Sequence, residues 1–205
     1  MRRFLYLLLL VIFPFFAAMA YDDCVLYKTQ PIVKITVPTW SKTVVQTEKP
    51  MNLMHGNVIA TLTDKYDIVA DITNTDGGIC VGIKSIDAVI GYTDFTVQID
   101  GRHKKNSCTY NAILTHEDEH IAAYLAIIDE YSGELQKSVF SAANSIMPIF
   151  VKSQSDINSA IDELNNSIQS HPDVVLTKYK IHAAQEIKNK RIDQNDTGER
   201  LKQCK

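Results

Sequence analysis

The sequence predicts an α+β protein: a small, mostly antiparallel sheet, then one long helix and one or two further helices. Three observations predict it. Apolar and polar residues alternate through 79–90 and 95–99, the period of half-buried strands. From Tyr110 onward the period changes: Ile113, Glu117, His120, Ile121, Tyr124, Ile128, Tyr131 and Leu135 recur at spacings of three and four. The length suits one domain, expected over 21–205, with a β-rich part at 21–109 and a helical part at 110–205.

Taken in order, residues 1–20 read as a signal peptide. Arg2 and Arg3 are basic, 4–16 are apolar, and Ala18-Met19-Ala20 supplies the small-x-small cleavage pattern. The apolar run carries Pro14 and is shorter than the roughly 20 residues a membrane span needs. Retention as an uncleaved anchor is the alternative. The mature chain is therefore expected to be periplasmic or secreted and not an integral membrane protein. Strands are expected at 32–37 (ended by Pro38), 66–72, 79–90 and 95–99, with turns at Asp76-Gly77-Gly78 and across 100–106. The long helix continues toward Ile146 until Met147-Pro148 stops it. Helical patterns return at 155–168 and 174–192, divided by His171-Pro172.

The formal charge is −3, and losing Arg2 and Arg3 takes it to −5. An acidic chain lacks the footprint of a nucleic-acid binder, so the expected partner is a protein or peptide. The cysteines Cys24, Cys80, Cys108 and Cys204 are even in number and lack C-x-x-C spacing, which predicts disulfides rather than ligands. Of three pairings, Cys80–Cys108 flanks one β-region and Cys24–Cys204 joins the mature ends. Chain ends often lie close together, which favours that set.

The chemistry lies in His116-Glu117-Asp118-Glu119-His120, an H-E-x-x-H pattern on the long helix. Histidines at i and i+4 share one face, close enough for both imidazoles to bind one zinc ion (Zn2+) at about 2.0–2.1 Å. Glu117, about 100° round the helix, is set to act as general base on a zinc-activated water. Asp118 and Glu119 fall on other faces. The third ligand must come from another element: Ala123 and Ala126 replace the Gly and His of the extended motif, and Glu130 lies about 15 Å further along the helix. A reversal at Met147-Pro148 would bring His182 and Glu186 beside the motif. A reversal at His171-Pro172 nominates Glu163 or a residue nearer the tail. His55, His103 and His171 read as surface residues.

A leading β-rich stretch, then Leu114-Thr115-His116-Glu117-x-x-His120 opening a long helix, resembles a family of uncharacterised secreted bacterial zinc-dependent proteases, a domain of unknown function. The resemblance implies a zincin-like fold, zinc on His116 and His120, and Glu117 as base. That family often closes with Asp-x-x-Thr-x-His-Gly, whereas this tail reads Asp193-Gln194-Asn195-Asp196-Thr197-Gly198-Glu199. If the family's tail histidine is a ligand, Asp196 or Glu199 replaces it here, or the site is degraded. The expected function is zinc-dependent peptide hydrolysis, with strand 95–99 pairing an extended substrate. The alternative is an inactive zinc-binding or purely structural exported domain that binds a partner.

Overall fold

A computed structural model describes residues 23–51, 55–196 and 198–204, so the expected signal peptide lies outside the described residues. The chain follows the predicted order of sheet first and helices second. Its strands are β1 (Ile32–Thr36), β2 (Ser41–Gln46), β3 (Gly56–Thr75), β4 (Gly78–Ile99) and β5 (Ile149–Val151). Its helices are α1 (Cys108–Ser145), α2 (Ile157–Ser170), α3 (Pro172–Asn195) and the short α4 (Glu199–Lys202).

The expected mostly antiparallel sheet gives way to a mixed one built around β4. Antiparallel β3 covers one edge of β4 along its whole length. On the other edge, β5, β1 and β2 lie end to end, and both β1 and β2 run parallel to β4. The parallel pairs arise because β1 and β2 precede the β3–β4 hairpin, and the chain must return to them through 20 residues of β3. The strands expected separately at 79–90 and 95–99 form one strand. It passes through Gly91, whose φ of +155° suits only glycine and where a Cβ would meet the Pro38 ring. Register shifts between Thr61/Leu62 and Val69/Ala70 add a residue on β4 and bend the long ribbon.

One sheet face packs against the helices. Ser107 caps α1, its side chain accepting from the Tyr110 N–H, and Pro148 follows soon after the helix ends. Pro172 opens α3 at its first turn. Helix α3 then runs back along α1: Ser141 contacts Asp173, Ser138 contacts Thr177, Glu134 contacts Lys180 and His120 contacts Asn189. Two apolar cores result. A distal core joins Ile79, Val81, Ile86, Leu135, Val139, Leu164, Ile168 and Val174. A second joins Phe95, Val97, Ile99, Tyr110, Ile113, Ile121, Ile127 and Ile181 beneath the motif.

The disulfides form, but in a different pairing. Cys24 bonds Cys80 and Cys108 bonds Cys204. Cys80 is the third residue of β4, a single 22-residue strand rather than a hairpin, and Cys108 opens α1 beyond the strand's other end. At about 3.3 Å per residue the strand's contour is roughly 70 Å, far more than the Cα separation of about 4.4–6.8 Å that a disulfide spans. Two disulfides fit an oxidising compartment. Among the described residues, no helix is long and apolar enough to cross a membrane.

Candidate metal centre

The H-E-x-x-H segment occupies the third turn of α1, with the second core below and α3 alongside. His116 Nε2, His120 Nε2 and Asp193 Oδ1 form a nearly equilateral triangle. Its sides are 3.2 Å between the two nitrogens and 3.3 and 3.1 Å from each nitrogen to the carboxylate oxygen. A tetrahedron with ligand distances of about 2.0–2.1 Å has edges of about 3.3–3.4 Å. The side chains of His116 and His120 are 18% and 12% exposed, whereas that of Asp193 is 63% exposed, so the triangle opens to solvent on the carboxylate side.

Two polar side chains back the triangle. Asn189 Oδ1 lies 2.9 Å from His120 Nδ1 and accepts its proton, which leaves Nε2 with a free lone pair. Asp196 Oδ2 lies 2.9 Å from His116 Nδ1. That contact is at ion-pair distance but is not aligned as a hydrogen bond, and Nδ1 is otherwise a buried atom without a partner. Two imidazole nitrogens and a carboxylate oxygen therefore converge on one point. Three lone pairs so placed repel one another unless a proton or a cation lies between them. The His116–His120–Asp193 group could hold a metal ion, and its donor set fits one.

Glu117 is only 4% exposed. Burial pushes its carboxyl up to about 7, with the nearby Asp193 and Asp118 adding to the rise and His120 opposing it. Gly56 presses on it: a Cβ there would run into the Glu117 carboxylate and, at 2.6 Å, into Ile113 Cγ2. Only a residue without a side chain lets the start of β3 pass so close. Asp118 pairs with Lys42 of β2, and Glu119 pairs with Arg200.

A cavity of about 500 Å³ lies over the motif, lined by His55, Gly56, Asn57 and Val58 on one side and by Asn189, Asp193, Asp196, Arg200 and Leu201 on the other. His55, read from sequence as a surface residue, belongs to this lining, with its Nδ1 3.1 Å from His103 Nε2. Burial and the charge of His55 hold His103 below the usual histidine range. Buried Asp100 fixes this loop by accepting from Met51 N and Arg102, and the Arg102 side chain holds its carboxyl well below the usual carboxylate range.

Of the nominated third ligands, His182, Glu186, Glu163 and Glu199 are exposed and lie outside the cavity lining, and Asp196 sits behind His116 rather than in the triangle. Asp193 takes the third position, and Asn189 was not foreseen either. Strand 95–99 has no free edge, since β2 and β3 flank it, so it cannot pair a substrate. Among the described residues, the outer edge of β3 pairs with no strand, and that edge begins at the cavity.

Comparison with protein families, curated proteins and solved structures returns no match. The site has to speak for itself.

Proposed function

We propose that the chain is an exported zinc-dependent peptidase whose ligands are His116, His120 and Asp193 and whose general base is Glu117. The observation that carries this reading is the triangle of lone pairs beside a buried carboxylate, in a cavity large enough for a peptide. Zinc held there supplies a Lewis acid for a carbonyl oxygen and lowers the pKa of water toward 7. The chain's own residues do the rest. Glu117, poised near neutral pH before any cation is present, takes a proton during attack and returns it to the leaving amine. Asn189 keeps the proton of the His120 imidazole on Nδ1 so that its Nε2 faces the centre, and Asp196 lies against the outer side of the His116 ring. The open edge of β3 at Asn57 and Val58 offers backbone groups to an extended chain, which is addition of a strand to a sheet edge. This replaces strand 95–99 as the substrate-binding strand.

The test joins metal analysis to turnover. The purified protein should carry about one zinc and hydrolyse an unfolded protein, and a chelator should abolish hydrolysis. Glu117→Gln keeps size and a hydrogen-bonding oxygen but cannot take a proton. Activity should fall by at least about a hundredfold with zinc retained, whereas Asp118→Asn should remain active. Zinc without turnover would favour a second reading, a metal-bearing binding module. The exposed Val175, Leu176, Tyr179 and Ile187 of α3 give that reading a surface to bind with.

A further inference from the structure

Behind the triangle, the last residues of the described chain turn back across the first half of α1 and are fastened to it at three places. Asp196, which ends α3, lies with Oδ2 2.9 Å from His116 Nδ1, and its side chain is 12% exposed. Arg200 stands between two carboxylates, with Nε 3.4 Å from Asp196 Oδ2 and Nη2 donating to Glu119 Oε1 at 2.7 Å. Cys204 is bonded to Cys108, the first residue of α1. Leu201 packs on the core beneath the motif.

These fastenings differ in strength. A half-exposed Arg–Glu pair is by itself a weak tie. A covalent link changes this. It keeps Arg200 and Asp196 near their partners at an effective concentration in the millimolar range, so weak contacts persist. A carboxylate held against the outer nitrogen of a histidine ligand stabilises the positive charge a bound cation places on the ring and holds the ring in place, and losing such an outer group typically weakens metal binding 10–100-fold.

We propose that the segment from Asp196 to Cys204 is a disulfide-anchored brace in which Asp196 and Arg200 are positioning residues for His116. Metal affinity then depends on the Cys108–Cys204 bond and not on Cys24–Cys80, which lies at the far end of β4. The inference rests on the reading of His116, His120 and Asp193 as zinc ligands.

The experiment measures the zinc dissociation constant by competition with a chelating dye, on the full mature chain. Asp196→Asn should weaken binding 10–100-fold. The pair Cys108→Ser with Cys204→Ser should weaken it about tenfold or more, and adding Asp196→Asn to that pair should cost little further, because both changes act through one contact. The pair Cys24→Ser with Cys80→Ser should leave the constant unchanged even where thermal stability falls. If the Cys108/Cys204 variant lacks native circular dichroism, Arg200→Gln decides with both disulfides intact. It should weaken zinc severalfold, Arg200→Lys should restore part of the loss, and the effect should vanish when Asp196 is already Asn. Wild type that binds zinc with Asp196→Asn and the Cys108/Cys204 pair unaffected, or with strictly additive losses, overturns the brace alone. Wild type that binds no zinc overturns the ligand assignment, and the brace with it.

Discussion

The two ends of α1 are built to opposite specifications. From Leu135 to Ala143 the helix buries Leu135, Val139, Ala142 and Ala143 against α2, α3 and the sheet, with the Ser138–Thr177 hydroxyl pair as its buried polar contact. From Tyr110 to His120 the same helix buries Glu117 and nearly buries two histidines. One end spends its contacts on packing. The other keeps ionisable groups from water, which costs stability unless a partner compensates. A single helix can do both because 38 residues span about 57 Å, long enough for each end to have its own core and its own disulfide.

The comparison can be broken from either side, and the largest effect belongs to the distal core. Leu164→Ala removes a fully buried side chain there and should cost about 2–5 kcal/mol in urea unfolding. Zinc affinity should stay near wild type, and a matching loss of affinity would mean the two ends are not independent.

If the proposed site holds zinc, removing it should act on the other end alone. At a free-zinc concentration a hundred times the dissociation constant, chelation should lower stability by about 2.7 kcal/mol. Amide exchange should quicken around 108–120 and 189–204 but not in α2. Uniform quickening would contradict the division.

A smaller effect is expected where β3 crosses the site. Gly56→Ala drives a methyl into Glu117 and Ile113, an overpacking that costs about 1–3 kcal/mol. If the chain is the peptidase proposed, displacing Glu117 should also depress kcat more than KM for a peptide substrate. An unchanged kcat would show that the carboxylate can move without consequence.

One change runs the other way. Burial raises Glu117 above its unfolded value of about 4.5 to about 7, so its ionisation opposes folding as pH climbs between those values. In metal-free protein, Glu117→Gln should therefore be neutral or slightly harmful below pH 4.5. Relative to wild type it should gain up to about 3 kcal/mol as pH climbs from 4.5 to 7, measured by thermal melts across pH. A fixed difference at every pH would rule out the carboxyl as the cause.

Much of this could be read from the chain because periodicity reports local structure. The eight residues at helical spacing from Ile113 to Leu135 located α1, and H-E-x-x-H placed two histidines on one of its faces. What failed were quantities that depend on distant register. Ser41–Gln46 forms β2 with nearly every residue exposed, so no alternation marks it. The cysteine pairing failed because two strands read on either side of Gly91 are one strand. Asp193 was missed for a similar reason. Which residue of α3 meets His120 depends on α3 starting at Pro172 beside Ser141 and Ser145. Counting back along α1 from that break, instead of from Met147-Pro148, leads to Asn189 and Asp193.

The placement of β1 and β2 carries a consequence for how the molecule is assembled. Both strands leave the ribosome before β4, yet residues 32–36 and 41–46 have no partner until 85–89 and 94–99 arrive. Parallel pairing over such separations closes long loops before it gains contacts, and so it is slow. The β3–β4 hairpin, whose strands meet across a two-residue turn, can zip from Thr75 and Gly78 outward with no such delay. Assembly therefore runs against the order of synthesis. The strands made first have to wait for β4 before they can pair, and the Cys24–Cys80 bond, 56 residues apart in sequence, ties the segment before β1 to β4 once they have met.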